Sequence, residues 1–428
     1  MVLARGLRVA MVAYGDITYD SRVQREATSL ASAGHAVTVF CLAGSREVMG
    51  SLGPRVRVCP RAARWSRVVP GTASPFRQQD RGGPVRTAVR QAVWLWLYWW
   101  NLRRWGDAVT RAGGARAFDV WHVHDFAGLV AVAGARPGPG RGLVYDVHDL
   151  FVETGTAARL PLAARLALRR YECHLVRRVD ATIAVNDGVA AVLRRRYRPR
   201  SIAVIHNCPA AWSIPSPRPD LIRRAAGIPH TAPVILYHGQ LGSNRGLERL
   251  CEAMLEPDLI GAHLVLMGNG ELRGTLLARA DAARFEGRIH VLDAVPPGQL
   301  LTWVASADVG VMALPRTTLN LYISTPNKLF ECLAAGTPVV VSDFPAVRSI
   351  VLDGPWGPLG ATCDPCDPSA IARAVAGVIG CDSGTRDQLR ARCSTAALTR
   401  WNWESQAAPL LRIYEDIARA IPHASSRD

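Results

Sequence analysis

Residues 324 to 343 read STPNKLFECLAAGTPVVVSD, and this stretch predicts a helix followed by a strand. Ser324 or Thr325 can cap the helix, and Pro326 suits its first position. Gly336 would end the helix, and the apolar run that follows predicts a buried strand. A helix that begins in such a loop presents unpaired N–H groups and the positive end of its dipole. The stretch therefore predicts a phosphate site.

The alternation of apolar runs and helical stretches extends along the chain in both directions. Strands are predicted at 7–14, 35–42, 119–124, 143–148, 180–186, 233–239, 263–270, 288–293, 307–314 and 337–343. Continuous apolar strands separated by helices are typical of parallel sheets that are covered on both faces. We therefore predict an α/β fold with two doubly wound, Rossmann-like domains that bind ligand beyond the carboxyl ends of their strands.

A proline-rich stretch separates the two series of strands. Residues 207–219, NCPAAWSIPSPRP, hold four prolines and show little periodicity, which is typical of a linker. We expect an N-terminal domain at 1–208, a C-terminal domain at 209–400 and a closing segment at 401–428.

Charge is distributed unevenly between the two halves. Residues 1–208 hold 31 Arg and 14 acidic residues, whereas residues 209–428 hold 20 basic and 21 acidic residues. The basic first half favours an anionic partner, such as a membrane surface, a lipid-linked phosphate or a nucleic acid. No helix-turn-helix, zinc-finger or RNA-recognition pattern is visible, so a non-enzymatic nucleic-acid binder is the weaker alternative and we expect no nucleic acid as partner.

Residues 85–105, VRTAVRQAVWLWLYWWNLRRW, combine five Trp with flanking Arg. Trp suits the headgroup level of a bilayer and guanidinium groups pair with lipid phosphates, so the segment favours contact with an anionic membrane surface. The alternative is a buried helix packed on the N-terminal sheet, because apolar residues run nearly all round it. No apolar run reaches about 18 residues. We expect a cytoplasmic protein that is peripheral on the inner face of the plasma membrane.

Two residues in the predicted helix suit a nucleotide. Lys328 is the only lysine in a chain whose other basic residues are all Arg, which indicates that a compact charge is required at the helix start. Glu331 lies on the opposite face from Leu329, and its carboxylate can accept two hydrogen bonds from ribose hydroxyls.

The chain resembles the family-4-type retaining glycosyltransferases of the GT-B fold over nearly its whole length. The segments that carry the resemblance are 324–343 together with SRVQREATSLASAGHAVTVF (21–40), VWHVHD (120–125), LVYDVHDLF (143–151), ILYHGQLGSNRGLERL (235–250) and WNWESQAAPLLRIYEDI (401–417). The resemblance implies two facing domains and a C-terminal helix that crosses back to the first. It implies transfer of a hexosyl group from a UDP- or GDP-sugar to an acceptor hydroxyl with retention of configuration. The basic N-terminal half favours a lipid-linked or cell-envelope polysaccharide acceptor.

The resemblance also implies roles for individual residues. Arg245, Lys328 and Gly15 would bind the donor diphosphate, Glu331 its ribose, and His148 would be the catalytic residue beside the donor sugar, with a neutral imidazole that hydrogen-bonds sugar hydroxyls. The other candidates are Ser324, Thr325, Asn327, Gly268 and Asn269 in the donor loops, and Asp16 and His124 on the acceptor side.

Two positions depart from the family pattern. Ile323 stands where the family has the first Glu of an E-x7-E motif, and Gln240 stands where a second Arg is common. No D-x-D motif ends a strand, and two cations can stabilise a leaving diphosphate as a metal does. We therefore expect no metal and no cofactor. Without the first Glu, another GT-B enzyme, such as a sugar-nucleotide epimerase or a phosphorylase, stays an alternative.

A second glycine-rich stretch, MGNGELRG at 267–274, follows a predicted strand. Taken alone it is similar to a dinucleotide-binding fingerprint and would indicate a dehydrogenase. Its third glycine comes one place too late, so this alternative is weak.

Overall fold

The computed structural model describes residues 6–61, 84–114, 117–133, 141–155 and 157–421. The chain falls into two compact units. Unit 1 comprises Met1–Ile205 and Ala407–Asp428, and unit 2 comprises His206–Gln406. The first division lies close to the domain boundary predicted at residue 208, while the second falls inside the last helix and not at residue 400. Residues 422–428 of the predicted closing segment lie outside the described residues.

The described part of unit 1 contains seven strands that form one parallel sheet. They are β1 (Arg8–Val12), β2 (Ala36–Cys41), β3 (Val56–Pro60), β4 (Val120–His124), β5 (Gly142–Val147), β6 (Ala181–Ala184) and β7 (Ile202–Val204). Their order is β3-β2-β1-β4-β5-β6-β7. The order reverses between β1 and β4, and ligands of doubly wound sheets bind beyond the strand ends at such a reversal.

Helices cover this sheet. They are α1 (Ser21–Ser32), α2 (Arg46–Ser51), α3 (Pro84–Gly113), α4 (Asp125–Ala133), α5 (Leu162–Val176) and α6 (Asp187–Tyr197), with 3-10 turns at Ile17–Tyr19, Phe151–Glu153 and Ala157–Arg159. α3 packs tightly on α4 because Gly106 has no side chain. A Cβ there would lie 2.3 Å from the carbonyl oxygen of Ala131.

The described part of unit 2 contains six strands in a second parallel sheet. They are β8 (Val234–His238), β9 (His263–Met267), β10 (Ile289–Leu292), β11 (Val309–Met312), β12 (Val339–Ser342) and β13 (Gly360–Cys363). Their order is β10-β9-β8-β11-β12-β13. Here the reversal lies between β8 and β11, so the loops that follow these two strands are the expected ligand-binding loops.

The helices that follow residue 220 belong to unit 2, except that the last of them continues into unit 1 from Ala407. They are α7 (Leu221–Ala226), α8 (Leu247–Ala253), α9 (Arg273–Ala280), α10 (Leu300–Val304), α11 (Leu319–Ile323), α12 (Asn327–Ala334), α13 (Pro345–Val351), α14 (Pro368–Ile379), α15 (Ser383–Thr399) and α16 (Trp403–Ala420), with 3-10 turns at Pro257–Leu259, Ala283–Phe285 and Pro297–Gln299.

The last helix returns to the first unit, as the sequence predicted. From Ala407 onward α16 belongs to unit 1. Tyr414 is fully buried there, and its hydroxyl lies 3.0 Å from Nδ1 of His122 on β4. Ile417 packs so closely on β5 that a Cβ at Gly142 would lie 2.7 Å from it. These contacts tie the C-terminal helix to the centre of the first sheet.

All ten predicted strands are present, and three further strands were not predicted. β3, β7 and β13 lie at the edges of the two sheets. β3 and β13 contain polar or small residues and β7 has only three residues, so none of them shows the long apolar run that marked the central strands. The prediction of two doubly wound parallel sheets is confirmed.

The Trp-rich segment forms part of α3, and its two halves differ. Leu102, Trp105 and Val109 are buried in unit 1, so the buried-helix alternative is correct for the second half. Earlier in the helix Val93 is 50% and Trp96 is 64% exposed. Among the helices that the structure describes, none is both long enough and apolar enough to cross a bilayer. The side chain of Arg86, one of the flanking arginines, lies outside the described residues.

Candidate active site

The loop before α12 differs from the predicted cap. The helix begins at Asn327, and its N-cap position is Pro326, whose side chain makes no capping hydrogen bond. Ser324 instead ends α11, where its hydroxyl donates to the carbonyl oxygen of Leu321 at 3.0 Å. The prediction that Ser324 caps the helix is therefore wrong, because Ser324 closes α11. The first turn of α12 still presents the positive end of the helix dipole, which suits an anion.

Lys328 lies in the first turn of α12 against Tyr237. Its Nζ is 3.8 Å from the centroid of the Tyr237 ring, a cation–π contact. Burial, reinforced by the charge of Arg245, lowers the pKa of Lys328 to about 7. The structure therefore brings Lys328 and Arg245 close enough to repel each other, and an anion placed between them would relieve that repulsion.

The loop after β8 orients Arg245. Its Nη2 donates to Oε1 of Gln240 at 3.2 Å. Gln240 stands where a second Arg is common in the family, and here it holds Arg245 in place. Gly246 follows with φ +73°, and a Cβ there would lie 2.0 Å from the carbonyl oxygen of Ala313. Only glycine at this position therefore lets the loop pack against the segment that follows β11.

Glu331 projects from α12 next to the end of β8. Its Oε2 lies 2.8 Å from Nε2 of His238, the last residue of that strand. The Glu331 side chain remains 19% exposed. His238 thus fixes one carboxylate oxygen, while the exposed part of the group can meet a ligand.

The glycines of the second glycine-rich stretch have a packing role. A Cβ at Gly268 would lie 1.9 Å from the carbonyl oxygen of Gly239, and one at Gly270 would lie 2.2 Å from that of Leu241. Leu241 N also donates to the carbonyl oxygen of Asn269 at 2.9 Å. These residues bring the loop after β9 against the loop after β8, which explains the glycines without a dinucleotide.

A second group of chemistry-bearing residues lies in unit 1, centred on Asp146 of β5. Arg22 of α1 donates to both carboxylate oxygens, at 2.7 and 2.8 Å, and to the carbonyl oxygen of Ile205 at 2.7 Å. His148 Nε2 lies 3.0 Å from Asp146 Oδ2. Burial raises the pKa of Asp146, but the charges of Arg22 and His148 outweigh burial and hold that pKa well below its usual value.

His148 is held between two carboxylates. Asp125 Oδ1 accepts from the backbone N–H of His148 at 3.0 Å, and Asp125 Oδ2 lies 3.5 Å from His148 Nδ1. Burial disfavours the imidazolium, but Asp125 and Asp146 outweigh it and raise the pKa of His148 to about 10. The neutral imidazole expected from the sequence is therefore wrong at neutral pH, and His148 carries a positive charge.

A cluster of buried polar groups lies next to His148. Glu26 Oε2 is 3.3 Å from His122 Nε2. Burial, together with Asp146, raises the pKa of Glu26 well above its usual value, and burial together with His124 lowers that of His122 well below it. One nitrogen or oxygen atom from each of Glu26, His122, His124 and Asp146 lies within 4.8 Å of the others. Arg22 adjoins this cluster, with its Nε 3.2 Å from Glu26 Oε1.

An open cavity of about 240 Å³ adjoins this group in unit 1. Its walls include Gly15, His124 and Asp125, together with Asp20, Asp149 and the aromatic residues Tyr14, Tyr98 and Phe151. Asp16, predicted on the acceptor side, instead accepts from Thr18 N at 2.9 Å and caps the turn Ile17–Tyr19. Asp20, which the sequence did not single out, contributes to the wall.

Several residues of these two groups were not predicted from the sequence. His238 ends a strand directly before Gly239, a position from which it could have been suspected. Arg22 and Asp146 are 124 positions apart, and no spacing rule connects a helix residue to a strand residue at that distance. Asp125 has φ +55°, an uncommon conformation for a residue other than glycine that only the structure reveals.

Comparison with known proteins identifies the family. The description "Glycosyltransferase Family 4" matches residues 21–208, and "Glycosyl transferases group 1" matches residues 232–380. Two doubly wound units with a C-terminal helix that returns to the first are the architecture of the GT-B fold. The chain belongs to the group 1, family 4 glycosyltransferases.

Three relatives illustrate the range of the family. The chain is 29% identical to the D-inositol 3-phosphate glycosyltransferase of Xylanimonas cellulosilytica, over 47% of this chain and 46% of that protein. It is 28% identical to the phosphatidyl-myo-inositol mannosyltransferase of Mycobacterium tuberculosis, over 46% of this chain and 50% of that protein. Identity to the glycogen synthase of M. tuberculosis is 25%, over 92% of this chain and 89% of that protein. The first two matches thus span about half the length of those proteins.

Solved structures share the fold along the whole chain. Sucrose-phosphate synthase from Thermosynechococcus elongatus aligns with a TM-score of 0.73 at 17% identity, covering 97% of this chain and 100% of that one. Anabaena HepE in complex with UDP-glucose aligns with a TM-score of 0.68 at 14% identity, covering 96% and 100%. At these identities the likeness concerns the fold.

Proposed function

We propose that this protein transfers a sugar from a nucleoside-diphosphate sugar to an acceptor hydroxyl. The observation that carries the proposal is the position of Lys328 in the first turn of α12, against Tyr237 of β8 and near enough to Arg245 for the two charges to repel each other. Two partly buried cations that repel each other form a site for a compact group with two negative charges, such as a diphosphate. In the reaction, the same cations stabilise the charge that develops on the departing nucleoside diphosphate.

Glu331 would recognise the nucleoside through its ribose. A carboxylate accepts hydrogen bonds only, and two neighbouring ribose hydroxyls can both donate to it. His238 holds one carboxylate oxygen at 2.8 Å, which fixes the orientation of the group before the nucleotide arrives. We expect a UDP- or GDP-sugar as donor, and the UDP-glucose that accompanies Anabaena HepE makes UDP the first to test.

His148, the proposed catalytic residue, is an imidazolium in this arrangement. Asp125 and Asp146 stabilise its charge, so it can donate hydrogen bonds to a sugar hydroxyl or a phosphate oxygen. We propose retention of configuration, on the family resemblance, and a reaction that requires no metal. Lys328 and Arg245 supply at the diphosphate the positive charge that a metal would otherwise bring.

A thermal-shift screen with UDP, GDP, UDP-glucose and GDP-mannose tests donor binding. A ligand at about 100 times its Kd stabilises the folded protein by about 2.7 kcal/mol. The stabilisation should be lost in Lys328→Ala and in Glu331→Ala. It should persist in Arg249→Ala, which removes an exposed guanidinium of α8 whose partner is Glu252. Absence of stabilisation by all four ligands in the wild-type protein would refute the proposed function.

Product analysis separates transfer from the other GT-B activities. A sugar-nucleotide epimerase would convert the donor without releasing nucleoside diphosphate, and a phosphorylase would require inorganic phosphate. A transferase should release nucleoside diphosphate only when an acceptor is present, and the anomeric proton coupling of the product should match that of the donor. An excess of EDTA should leave the rate unchanged, because no step depends on a divalent ion.

We further propose that unit 1 binds peripherally to an anionic membrane. Val93 and Trp96 of α3 are exposed, and so are Leu162 and Leu166 at the start of α5. Gln91 Nε2 donates to the carbonyl oxygen of Arg159 at 3.2 Å, so these helices neighbour each other. Their exposed arginines, Arg103, Arg104 and Arg170 among them, suit lipid phosphates next to apolar side chains that enter the interface.

Vesicle sedimentation tests this membrane contact. Vesicles that contain phosphatidylglycerol should retain the protein, and vesicles of phosphatidylcholine alone should not. The double change Trp96→Ser and Leu162→Ser should weaken retention, whereas Leu398→Ser, which alters an exposed leucine of unit 2, should not. Equal retention by both kinds of vesicle would rule out the electrostatic part of the proposal. Salt should also weaken retention, since exposed charges are screened over about 10 Å at 0.1 M.

A further inference from the structure

Three arginines of unit 1 converge on one carboxylate outside the groups described above. Arg165 and Arg169 of α5 and Arg196 of α6 all pair with Glu153, which ends the 3-10 turn after β5. Arg165 Nη2 lies 2.8 Å from Glu153 Oε2. Arg196 Nη1 lies 3.1 Å from Glu153 Oε1, the oxygen that Arg169 also contacts. We call these four residues the arginine cluster.

Positive charge in the arginine cluster exceeds negative charge. Among the described residues, Glu153 is the only acidic partner in ion pairs with the three arginines. The buried carboxylate of Glu172 accepts hydrogen bonds from the hydroxyls of Tyr145 and Tyr197, at 2.8 and 2.6 Å. Burial raises the pKa of Glu172, and the charge of Arg196 only partly opposes this. Three like charges around one carboxylate repel one another, and a further anion would relieve that repulsion.

The arginines of the cluster are accessible, whereas its carboxylate is nearly buried. Each arginine side chain is between 23% and 24% exposed, and that of Glu153 is 9% exposed. The Nε atoms of Arg165 and Arg169 are buried and have no hydrogen-bond partner among the described residues. The cluster therefore holds more donors than Glu153 can accept from, and an arriving ligand meets donors with little competing carboxylate.

Exposed leucines flank the arginine cluster on α5. Leu162 is 65% and Leu166 is 41% exposed, and each precedes an arginine of the cluster by three residues. Side chains at this spacing are neighbours on a helix surface, so each leucine lies next to one of the arginines. A ligand that carries both an anionic group and an apolar chain fits this arrangement, and a lipid presents that combination at a bilayer surface.

The excess charge of the arginine cluster favours a phosphomonoester over a phosphodiester. Guanidinium groups bind phosphate oxygens through paired, charge-assisted hydrogen bonds. A phosphomonoester carries about −1.5 to −2 charge near pH 7 and offers three oxygens to such donors. In a phosphodiester the second ester bond removes one of these oxygens together with one ionisable proton. The group with more charge and more acceptors is the better match for three arginines.

We propose that the arginine cluster binds the phosphomonoester headgroup of a membrane lipid, whose apolar chains lie beside Leu162 and Leu166. The inference rests on the membrane contact proposed above and adds to it a discrete site and a headgroup class. Contact between α3 and the bilayer requires only negative charge, whereas this site requires a particular headgroup. It is separate from the nucleotide site of unit 2.

Sedimentation with vesicles of equal zeta potential tests the proposal. The vesicles contain phosphatidylcholine with either phosphatidic acid, a phosphomonoester, or phosphatidylglycerol, a phosphodiester. The wild-type protein should bind phosphatidic acid vesicles roughly tenfold more tightly, the effect of one hydrogen bond to a charged group. The double change Arg165→Gln and Arg169→Gln should make the two affinities equal, and continued binding to phosphatidylglycerol shows that this variant is folded. Arg194→Gln with Arg195→Gln, which removes two exposed guanidiniums of α6, should keep the preference.

Glu153→Gln distinguishes a ligand site from a purely structural cluster. Loss of the internal carboxylate leaves the three guanidinium groups to the ligand, so phosphatidic acid vesicles should bind more tightly than to the wild-type protein. A structural cluster would lose stability and gain no affinity. The soluble phosphomonoester glycerol 3-phosphate should bind far more weakly than the vesicles, because it lacks the apolar chains. Binding as tight as that of the vesicles would overturn the assignment to a lipid.

The remaining outcomes also decide the proposal. Equal binding of both kinds of vesicle to the wild-type protein would overturn it, and so would a preference that survives Arg165→Gln with Arg169→Gln. In either case the membrane contact proposed above still stands, because phosphatidylglycerol vesicles retain the protein. If neither kind of vesicle retains it, that contact fails as well. Thermal shift with UDP on the same samples reports on the transfer function separately.

Discussion

Lys328 lies over the face of Tyr237, with Nζ 3.8 Å from the ring centroid. The aromatic face compensates for part of the water that the ammonium group loses on burial. Burial and the nearby Arg245 nevertheless lower the pKa of Lys328 to about 7, while Glu331 acts in the opposite direction. Near neutral pH the ammonium and the neutral amine forms of Lys328 are therefore present in similar amounts. A negatively charged ligand should favour the ammonium form.

Binding of a nucleotide sugar should weaken as the pH rises through 7. Only the ammonium form of Lys328 attracts a diphosphate, and a pKa of about 7 makes that form the majority below pH 7 and the minority above it. Between about pH 6 and about pH 8 the affinity should fall roughly tenfold. Calorimetric titration with UDP-glucose measures this fall in affinity, because the diphosphate of UDP-glucose does not titrate in this range. Lys328→Arg keeps its charge and should flatten the profile, whereas an equally flat wild-type profile would contradict the assigned contact.

His238 should act through Glu331. Replacing His238 by Ala removes the donor at 2.8 Å and should weaken nucleotide binding roughly tenfold, the effect of one hydrogen bond to a charged group. His238→Gln can place an amide N–H near the same point and should restore most of the affinity. The 2′-deoxy nucleotide gives the decisive comparison. It should bind more weakly than the ribonucleotide to the wild-type protein and equally well to Glu331→Ala. A difference in affinity that persists in Glu331→Ala would assign the ribose to another residue.

The sequence predicted most of the fold because central parallel strands must be apolar along their length. β8 and β12 are apolar up to their last residues, His238 and Ser342. The edge strand β7 has only three residues, and each of them is partly exposed. Short strands at a sheet edge are held mainly by hydrogen bonds to the neighbouring strand and less by apolar side chains. Their positions can therefore be predicted only once the neighbouring strand is known.

The candidate site was predictable where one segment carried its chemistry. Lys328 and Glu331 share one short helix, and both could be selected from residue type and spacing. The network of unit 1 could not, because α1 supplies Arg22 and β5 supplies Asp146, and only the folded sheet brings them together. The charge state of His148 followed from that same network, which explains why the expected neutral imidazole was wrong.

His148 should remain protonated well above neutral pH. Asp125 and Asp146 overcome burial and raise its pKa to about 10, and Asp20, Asp149, Glu26, His124 and Arg22 are the other titratable or charged groups around it. A raised pKa contributes stability that is fully present below the unfolded value of about 6.5 and is lost as the pH rises through about 10. In NMR spectra the ring Hε1 signal of His148 should not titrate between about pH 6 and about pH 8. In Asp125→Asn its pKa should fall by about one unit or more.

The buried pair Arg22 and Asp146 should dominate the stability of unit 1. Both side chains are at most 3% exposed, and removing one partner of such a pair typically costs about 3–5 kcal/mol because the other charge stays buried alone. Arg22→Met should reduce the free energy of unfolding by this amount in urea titration. Arg22→Lys keeps the charge but loses the second hydrogen bond to the carboxylate, so its loss should be smaller. Glu26→Gln should have a smaller effect, because burial and the neighbouring Asp146 raise the pKa of Glu26 and so disfavour its charged form. If Glu26→Gln proved as destabilising as Arg22→Met, Glu26 would have to be ionised, and the charge balance that keeps His148 protonated would need to be assigned anew.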